Sequence, residues 1–260
     1  MKAIKLIISC VILTLAIMNS TLAAHEKSKL IIAGDYWCPY NCMPDSKMPG
    51  FFIDVVRRAL HIYAVDIEYV MMPWSQALDE LETGKIDGII GISNLDGKNA
   101  VASKLPLDYS LSKAYTRSDQ DWVYDGIGSL KGKRLCFIMG YTVDEDINNY
   151  IGINYTLDLG SFVVEDGKNA VIDSIANILD NKCDVYVEDE KVVKDYLYTH
   201  GLTKFIKDAG AISNKKIPLY IAFSKSLPNV QKYITYFEDG LASLKATGEY
   251  DSLRLRYKMD

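Results

Sequence analysis

At 260 residues the chain is long enough to bury one large hydrophobic core or two smaller ones. Hydrophobic residues make up 49% of the sequence and charged residues 24%, proportions that are typical of a globular protein. The formal net charge is −5, and the lysines and arginines form no basic stripe, so we expect no nucleic-acid partner.

The first 23 residues have the pattern of a secretory signal peptide. Two lysines form a basic start, residues 6–18 form an apolar core, and a small-residue cleavage site ends at Ala23. The apolar run is too short for a membrane-spanning helix. Cys10 lies in a faint lipoprotein-like motif, but too little apolar sequence precedes it for a lipid anchor. We therefore expect a mature chain that is exported to the periplasm and free of the membrane.

Four cysteines remain after the signal peptide: Cys38, Cys42, Cys136 and Cys183. In an oxidising compartment an even number of cysteines suggests disulfides, and four allow three pairings. Cys38 and Cys42 are close enough in sequence to clip one loop. Cys136 and Cys183 both fall in predicted strands, so they either pair, if those strands are neighbours, or remain buried free thiols.

Residues 73–93 predict a helix, a tight turn and a buried strand. Apolar residues recur at helical spacing after Trp74, Ser75 is the predicted N-cap, and Gly84 is expected to end the helix. The apolar run Gly88–Ile92 then has the length of a strand that is buried on both faces.

A helix that leads into such a strand is half of a βαβ unit, and in open α/β sheets ligands bind at the carboxyl ends of the strands. This places Ser93, directly after the strand, at a ligand cleft, with Trp74 at the other end of the same unit. The alternative is that Trp74 is a core residue and that Ser93 only forms a turn.

Strands and helices alternate along most of the remaining chain. Apolar runs predict strands at residues 30–34, 66–71, 132–139, 162–164 and 219–223, and a further strand just before Asp189. Helical periodicity covers residues 53–64, 170–179, 191–198, 230–244 and 250–257, and residues 94–105 are expected to form a polar loop and a short helix. This alternation predicts an α/β protein.

Four motifs follow one another in a fixed order. They are Gly50-Phe51-Phe52-Ile53-Asp54-Val55, then Pro73-Trp74 with Gly84-Lys85-Ile86-Asp87 behind it, then Ser129-Leu130-Lys131-Gly132-Lys133-Arg134-Leu135, and finally residues 241–257. In this order they resemble the bacterial periplasmic solute-binding proteins of the polar amino acid uptake family, the family 3 substrate-binding components of ABC transporters. The resemblance extends over roughly residues 29–257.

The resemblance implies a two-lobed fold of the periplasmic-binding-protein type (type II). Each lobe is expected to be a mainly parallel sheet flanked by helices, and two crossover segments form the hinge. On this pattern residues 24–112 and 218–260 form the first lobe, and residues 113–217 form the second.

The resemblance also implies ligand-binding residues in the first lobe. Trp37 occupies the place of an aromatic residue that stacks on the ligand, and Tyr40 follows it in a proline-aromatic pair. The alternative is that both rings simply cover the top of the lobe. Lys98 stands where family members that bind free amino acids place an arginine, and a lysine offers a point charge in place of a two-pronged donor.

Two further candidates belong to the second lobe. Thr142 keeps one of the two hydroxyls that family members use at an anion-binding helix entry. Asp189 stands where the family places a carboxylate that accepts hydrogen bonds from a ligand's ammonium group. Asp189 is also a predicted N-cap, because a helix is expected from residue 191.

By resemblance the protein is a periplasmic solute-binding protein and not an enzyme. It is expected to capture a small polar ligand, amino-acid-like or amine-bearing, in the cleft between the lobes and to pass it to an inner-membrane ABC permease. We expect a monomer with no cofactor, no metal and no catalytic residue.

Two alternatives stay open. One is a ligand-sensing module that presents its closed form to a membrane receptor. The other is a cleft enzyme on the same fold, such as a cyclohexadienyl dehydratase. For that enzyme, Asp35, Glu188 and Asp189 are the candidate acids or bases, provided that their pKa values are perturbed inside the cleft.

We predict that the exported protein begins at Ala24 or His25, because the signal-peptide pattern ends there. N-terminal sequencing of the secreted protein measures the cleavage site directly. Retention of Met1, or acylation of Cys10, would contradict the prediction.

Overall fold

The computed structural model describes residues 28–95 and 97–259. The predicted signal peptide, residues 1–23, lies outside the described residues. Within the described part, no helix is long and apolar enough to cross a membrane. Two β-sheets, each packed against helices, confirm the predicted α/β class and the two-lobed architecture.

The strands and helices alternate along the chain. The strands are β1 (Ser28–Gly34), β2 (Val65–Met71), β3 (Gly88–Ile92), β4 (Ala100–Ala102), β5 (Asp108–Ser110), β6 (Ser112–Arg117), β7 (Leu135–Ile138), β8 (Phe162–Glu165), β9 (Val185–Asp189), β10 (Ile206–Ala211) and β11 (Ile217–Ser224). The helices are α1 (Phe51–His61), α2 (Trp74–Glu82), α3 (Glu145–Asn154), α4 (Ala170–Leu179), α5 (Glu190–Thr199), α6 (Val230–Ala246) and α7 (Glu249–Arg256).

The first sheet has the strand order β2-β1-β3-β11-β4, with β5 paired to β11. β1 runs parallel to β2 and β3, whereas β11 returns antiparallel to β3. Helices α1, α6 and α7 cover one face of this sheet and α2 covers the other. Ile32 and Ala33 of β1 and Ile89 and Ile90 of β3, successive residues that point to opposite faces, are all fully buried for this reason.

The second sheet has the order β10-β6-β9-β7-β8. β7 runs parallel to β8 and β9, and β6 runs antiparallel to β9. Helices α4 and α5 pack on one face, while α3 packs on the other. Each sheet therefore joins a parallel βαβ part to an antiparallel strand that arrives from the other lobe.

The chain crosses between the sheets twice, and the two crossings lie side by side. Leu111 connects β5 to β6, and residues 212–216 connect β10 back to β11. Ser110 pairs with Ile217 across the crossings, and the Ile212 amide donates to the Ser112 carbonyl oxygen at 3.0 Å. Two adjacent extended segments are the kind of connection about which lobes rotate as a hinge.

Two local expectations were wrong. Helix α2 begins at Trp74 with Pro73 at the N-cap, so Ser75 is not the cap. The Ser75 hydroxyl donates instead to Asp166, which follows β8 of the second sheet. Residues 94–105 contain strand β4 where a short helix was expected, because pairing with the long strand β11 satisfies the backbone of Ala100–Ala102.

Both cysteine pairs are bridged. The Cα atoms of Cys38 and Cys42 are 4.8 Å apart, and those of Cys136 and Cys183 are 5.8 Å apart. The first bridge closes the loop after β1, as predicted. The second joins β7 to the residues just before β9, its neighbour in the sheet, so the free-thiol alternative does not apply.

Removing the Cys136–Cys183 bridge should cost more stability than removing Cys38–Cys42. The sequence separations are 47 and 4 residues, so the loop-entropy model gives roughly 4 and 2 kcal/mol. Denaturant unfolding of the two double Cys→Ala variants, with the parent as reference, measures both losses. Equal losses would show that loop length does not set the stabilisation.

Candidate functional site

A cavity of about 230 Å³ lies between the two lobes. Five of the seven predicted ligand-binding residues line it: Trp37, Trp74, Ser93, Lys98 and Thr142. The other two, Tyr40 and Asp189, do not. The cavity sits beyond the carboxyl ends of β1, β3 and β7, the edge at which α/β sheets bind ligands.

The loop after β1 brings Trp37 and Asn41 to the cavity. Their backbones exchange two hydrogen bonds, from the Trp37 amide to the Asn41 carbonyl oxygen at 2.8 Å and from the Asn41 amide to the Trp37 carbonyl oxygen at 3.0 Å. The Cys38–Cys42 bridge closes the same turn. The Trp37 ring stacks on Tyr40 with ring centroids 4.5 Å apart. The loop is therefore held in one conformation, and a ligand does not have to order it.

The start of α1 supports this loop. The amides of Phe51 and Phe52, which have no partner inside the helix, donate to the carbonyl oxygens of Pro39 at 2.8 Å and Tyr40 at 3.0 Å. Gly50 allows this close approach, since a Cβ there would lie 2.2 Å from the Tyr40 carbonyl oxygen and its φ is +124°. The glycine of the Gly50-Phe51 motif thus positions the loop that lines the cavity.

Hydrogen bonds join the two lobes around the cavity. Trp37 Nε1 donates to Glu188 Oε1 at 3.0 Å, and the Tyr141 hydroxyl donates to Asp35 Oδ2. Trp74 Nε1 donates to the Gly140 carbonyl oxygen at 3.1 Å. These contacts describe a closed arrangement, in which donors of one lobe meet acceptors of the other.

Glu188 reaches the cavity from the end of β9 and is almost fully buried. Its Oε1 accepts hydrogen bonds from Trp37 Nε1 and from the Asp189 amide at 2.8 Å, and its Oε2 accepts from the Tyr186 hydroxyl at 2.6 Å. Burial raises the pKa of Glu188 to about 7, although these donors oppose the rise. Glu188 is therefore a buried carboxyl group that forms no ion pair with a cation of the described residues.

Asp35 faces the same cavity from the first lobe. It follows the last residue of β1 and is 3% exposed. Burial raises the pKa of Asp35 to about 6, and the hydrogen bond from Tyr141 is the main effect that opposes it. The two lobes thus each contribute one buried carboxyl group with a raised pKa, and each group receives a donor from the opposite lobe.

Asp189 and Tyr40 lie behind the cavity wall. The Asp189 carboxylate accepts from the Ser110 hydroxyl at 2.7 Å, the Leu111 amide at 3.2 Å and the Lys191 amide at 2.8 Å, and more weakly from the Tyr40 hydroxyl at 3.4 Å. It caps α5, as the alternative interpretation held, and it ties the first crossing segment to the second lobe. In the structure, therefore, the second-lobe carboxylate at the cavity is Glu188, one residue earlier.

The remaining predicted residues supply polar groups of different kinds. Ser93 follows β3 as expected, Lys98 brings an ammonium group from the next loop, and Thr142 lies just before α3. Asp144, and not Thr142, caps that helix, with its side chain accepting from the Asp146 amide. Trp74 lines the wall, and its N–H donates to the Gly140 carbonyl oxygen.

Asn41 was not predicted as a site residue. It lines the cavity, it is 1% exposed, and its side-chain oxygen has no hydrogen-bond partner among the described residues. A buried polar atom of this kind is costly unless it is paired, which marks it as a candidate ligand contact. The sequence signal that was available is its place in the loop at the carboxyl end of β1.

No metal centre is present in the described part of the chain, where no group of three or more histidine, cysteine, aspartate or glutamate side chains could hold an ion. The polar side chains of the cavity include two carboxyl groups, one ammonium group, hydroxyls and two amides. Such a set recognises a small polar molecule through hydrogen bonds and charge.

The sequence matches the family model of the bacterial extracellular solute-binding proteins, family 3, over residues 30–260. A probable histidine-binding protein of Campylobacter jejuni subsp. jejuni serotype O:2 is 24% identical over 225 residues, a match that covers 85% of this chain and 81% of that relative.

Two solved structures share the fold. An ancestral arginine-binding protein bound to arginine superposes with a TM-score of 0.74 at 19% identity, covering 90% of this chain and 99% of that one. A histidine kinase sensor domain with similarity to periplasmic binding proteins superposes with a TM-score of 0.73 at 18% identity, covering 90% and 97%. The likeness in structure fits the match to the family model, and the chain belongs to the bacterial extracellular solute-binding proteins, family 3.

Proposed function

We propose that the protein captures a small, amine-bearing polar solute in the periplasm and passes it to an inner-membrane ABC permease. The observation that carries this proposal is the pair of buried carboxyl groups, Asp35 and Glu188, that face one cavity from opposite lobes. The protein acts as a monomer, with the solute as its only small-molecule partner.

A cation explains why two carboxyl groups are buried together. Burial without a counter-charge disfavours the ionised form, which is why the pKa values of Asp35 and Glu188 are raised. An amine between them offers N–H donors to both and supplies the missing positive charge. The unpaired oxygen of Asn41, in the same wall, adds a further acceptor for such a group.

The size of the cavity supports a solute of amino-acid size. About 230 Å³ lies below the range of roughly 300 to 1,000 Å³ that is typical of drug-sized ligands. Trp37 and Trp74 supply flat apolar surface for the uncharged part of the solute. Lys98 provides a partner for an anionic group, so an amino-acid-like zwitterion fits the wall.

The lobes are proposed to close on the solute as two bodies. Residues 24–112 and 218–260 form one, residues 113–217 form the other, and the two crossing segments form the hinge. Support comes from the hydrogen bonds of Trp37, Trp74 and Tyr141, all of which join groups on opposite sides of the cleft. The donors and acceptors of these bonds return to water when the cleft opens.

The raised pKa values also favour a second candidate, an acid-base enzyme of the cyclohexadienyl dehydratase type. Against it, both oxygens of Glu188 already accept hydrogen bonds from fixed protein donors, an arrangement that suits holding a cation better than moving a proton. Incubation with prephenate or arogenate distinguishes the two. Turnover supports the enzyme, and binding without turnover supports the solute-binding protein.

The solute released from the purified and denatured protein should contain an amine, and it should bind again with one site per chain. Mass spectrometry identifies it, and titration calorimetry measures its affinity. Trp37→Phe should weaken binding about tenfold to a hundredfold, because the closed form loses a hydrogen bond to a carboxylate worth about 1.5 to 3 kcal/mol.

Trp122→Phe is the matched control, since the Trp122 N–H donates to the Ser129 carbonyl oxygen and the residue does not line the cavity. It should leave the affinity unchanged. An equal loss in both variants, or the release of a solute that has no amine, would refute the proposed role of the site.

Binding of an amine should weaken as the pH falls. The carboxyl groups bind a cation in their ionised form, and pKa values of about 6 for Asp35 and about 7 for Glu188 mean that mild acid protonates them. The affinity should fall about tenfold per pH unit below each pKa for each group. Calorimetry between pH 8 and pH 5 measures this slope.

The stability of the unliganded protein should change in the opposite direction. Both groups bind a proton more tightly in the folded state, because their ordinary pKa values are 3.8 and 4.5. Their contribution to the free energy of unfolding is therefore full below about pH 4 and is lost as the pH rises to about 7.

For the binding prediction, an affinity for the solute that is independent of pH would show that neither carboxylate touches the solute.

A further inference from the structure

The described residues that line the cavity contain three ionisable groups that are charged or become charged near neutral pH. Asp35 and Glu188 are carboxyl groups, and Lys98 is an ammonium group. When all three are ionised, the wall carries a net charge of −1. Because Asp35 and Glu188 are almost fully buried, water screens their charges poorly, and a cationic group on the bound molecule can neutralise the imbalance.

We propose that the site selects solutes of net charge +1 whose cationic groups carry N–H donors, and that Glu188 is the residue that sets this preference. The inference rests on the proposed function and narrows its substrate class, from any amine-bearing solute to molecules such as basic amino acids. An amino acid with a cationic side chain has two positive groups for the two carboxylates and one carboxylate for Lys98.

Glu188 sets the preference because, among the described residues, no cation is hydrogen-bonded to it or acts on its pKa. Its own strand contributes the Tyr186 hydroxyl and the Asp189 carboxylate, and the first-lobe loop contributes the neutral Trp37 N–H. Tyr141 from the same lobe and Asp35 from the opposite lobe face the same space. None of these groups is a cation, so an ionised Glu188 requires a positive group on the solute.

Asn41 adds an acceptor to this end of the cavity. Its side-chain oxygen is buried and unpaired among the described residues. Backbone hydrogen bonds hold Asn41 next to Trp37, whose ring N–H donates to Glu188. A primary ammonium or a guanidinium group has enough N–H donors for several acceptors, whereas a quaternary ammonium group has none. The site therefore favours cations that donate hydrogen bonds.

A solute of the wrong charge leaves one group uncompensated. A neutral amino acid has only one positive group, so one carboxyl group must be protonated when the cleft closes. An anionic amino acid adds one further uncompensated negative charge to the cavity. The three charge classes should therefore differ in affinity and also in the direction of proton exchange with the solvent.

Titration calorimetry with L-lysine and L-arginine, with L-glutamine and L-norleucine, and with L-glutamate tests the proposal. We expect the parent protein to bind the first pair at least about tenfold more tightly than the second, and glutamate most weakly. L-norleucine is the matched partner of L-lysine, because it has the same carbon chain without the terminal amine.

Proton exchange provides a second readout that a structural role would not produce. In buffers of different ionisation enthalpy at pH 6.5, L-lysine should release about one proton on binding, because the pKa values of about 6 and 7 leave about one proton on the two carboxyl groups beforehand. L-norleucine should release none or take one up.

Glu188→Gln should abolish the preference for L-lysine over L-norleucine, or reverse it, and should remove most of the proton release. Glu190→Gln is the matched control, since this neighbour carries the same charge but does not line the cavity, and it should keep the preference. Asp35→Asn changes the same charge balance from the opposite lobe, so it provides an independent test if Glu188→Gln does not fold.

The outcomes separate the inference from the proposed function. Two results would overturn the preference for solutes of net charge +1 and leave solute binding intact. One is tighter binding of L-glutamine and L-norleucine by the parent protein, and the other is an unchanged preference for L-lysine over L-norleucine in folded Glu188→Gln. If none of the five amino acids binds, both the preference for net charge +1 and the amino-acid-like solute of the proposed function are overturned.

Discussion

The burial of two carboxyl groups between the lobes is the constraint on which the closed structure depends. Moving an ionised carboxylate out of water is expensive, and hydrogen bonds from neutral donors offset only part of the cost. The lobes exchange such donors, from Tyr141 to Asp35 and from Trp37 to Glu188. These bonds make closure possible but leave the negative charge uncompensated. On the proposed function, the arrangement couples closure to the arrival of a proton or a cation.

The surrounding structure holds these donors in place. Trp37 sits on a loop that is closed by the Cys38–Cys42 bridge and bonded to the amides at the start of α1. Asp189, by contrast, serves the hinge, where it accepts from the first crossing segment and from the first turn of α5. Two adjacent acidic residues thus have separate tasks, because successive side chains of a strand point to opposite sides. Glu188 faces the cavity and Asp189 faces the hinge.

Much of the fold follows from local pattern. The helix predicted at residues 170–179 and the strand predicted at residues 88–92 have the bounds that the structure shows. The helix has apolar residues at helical spacing, and the strand is a short continuous apolar run. Strands β6 and β10 were not predicted. They are rich in polar residues, and β10 is interrupted by a bulge before Gly210. Their extended conformation comes from pairing with each other and with β9, which is a long-range effect.

The sequence by itself determined the class of the protein, the ligand edge of its sheets and five of the residues that line the cavity, since all of these follow from short motifs and element ends. Only the tertiary structure decided which carboxyl groups face the cavity. Asp35 and Tyr141 are 106 positions apart, and Trp37 and Glu188 are 151 positions apart, so no local pattern reveals that they meet. Their raised pKa values exist only because folding removes both carboxyl groups from water, and that burial is a property of the assembled cleft.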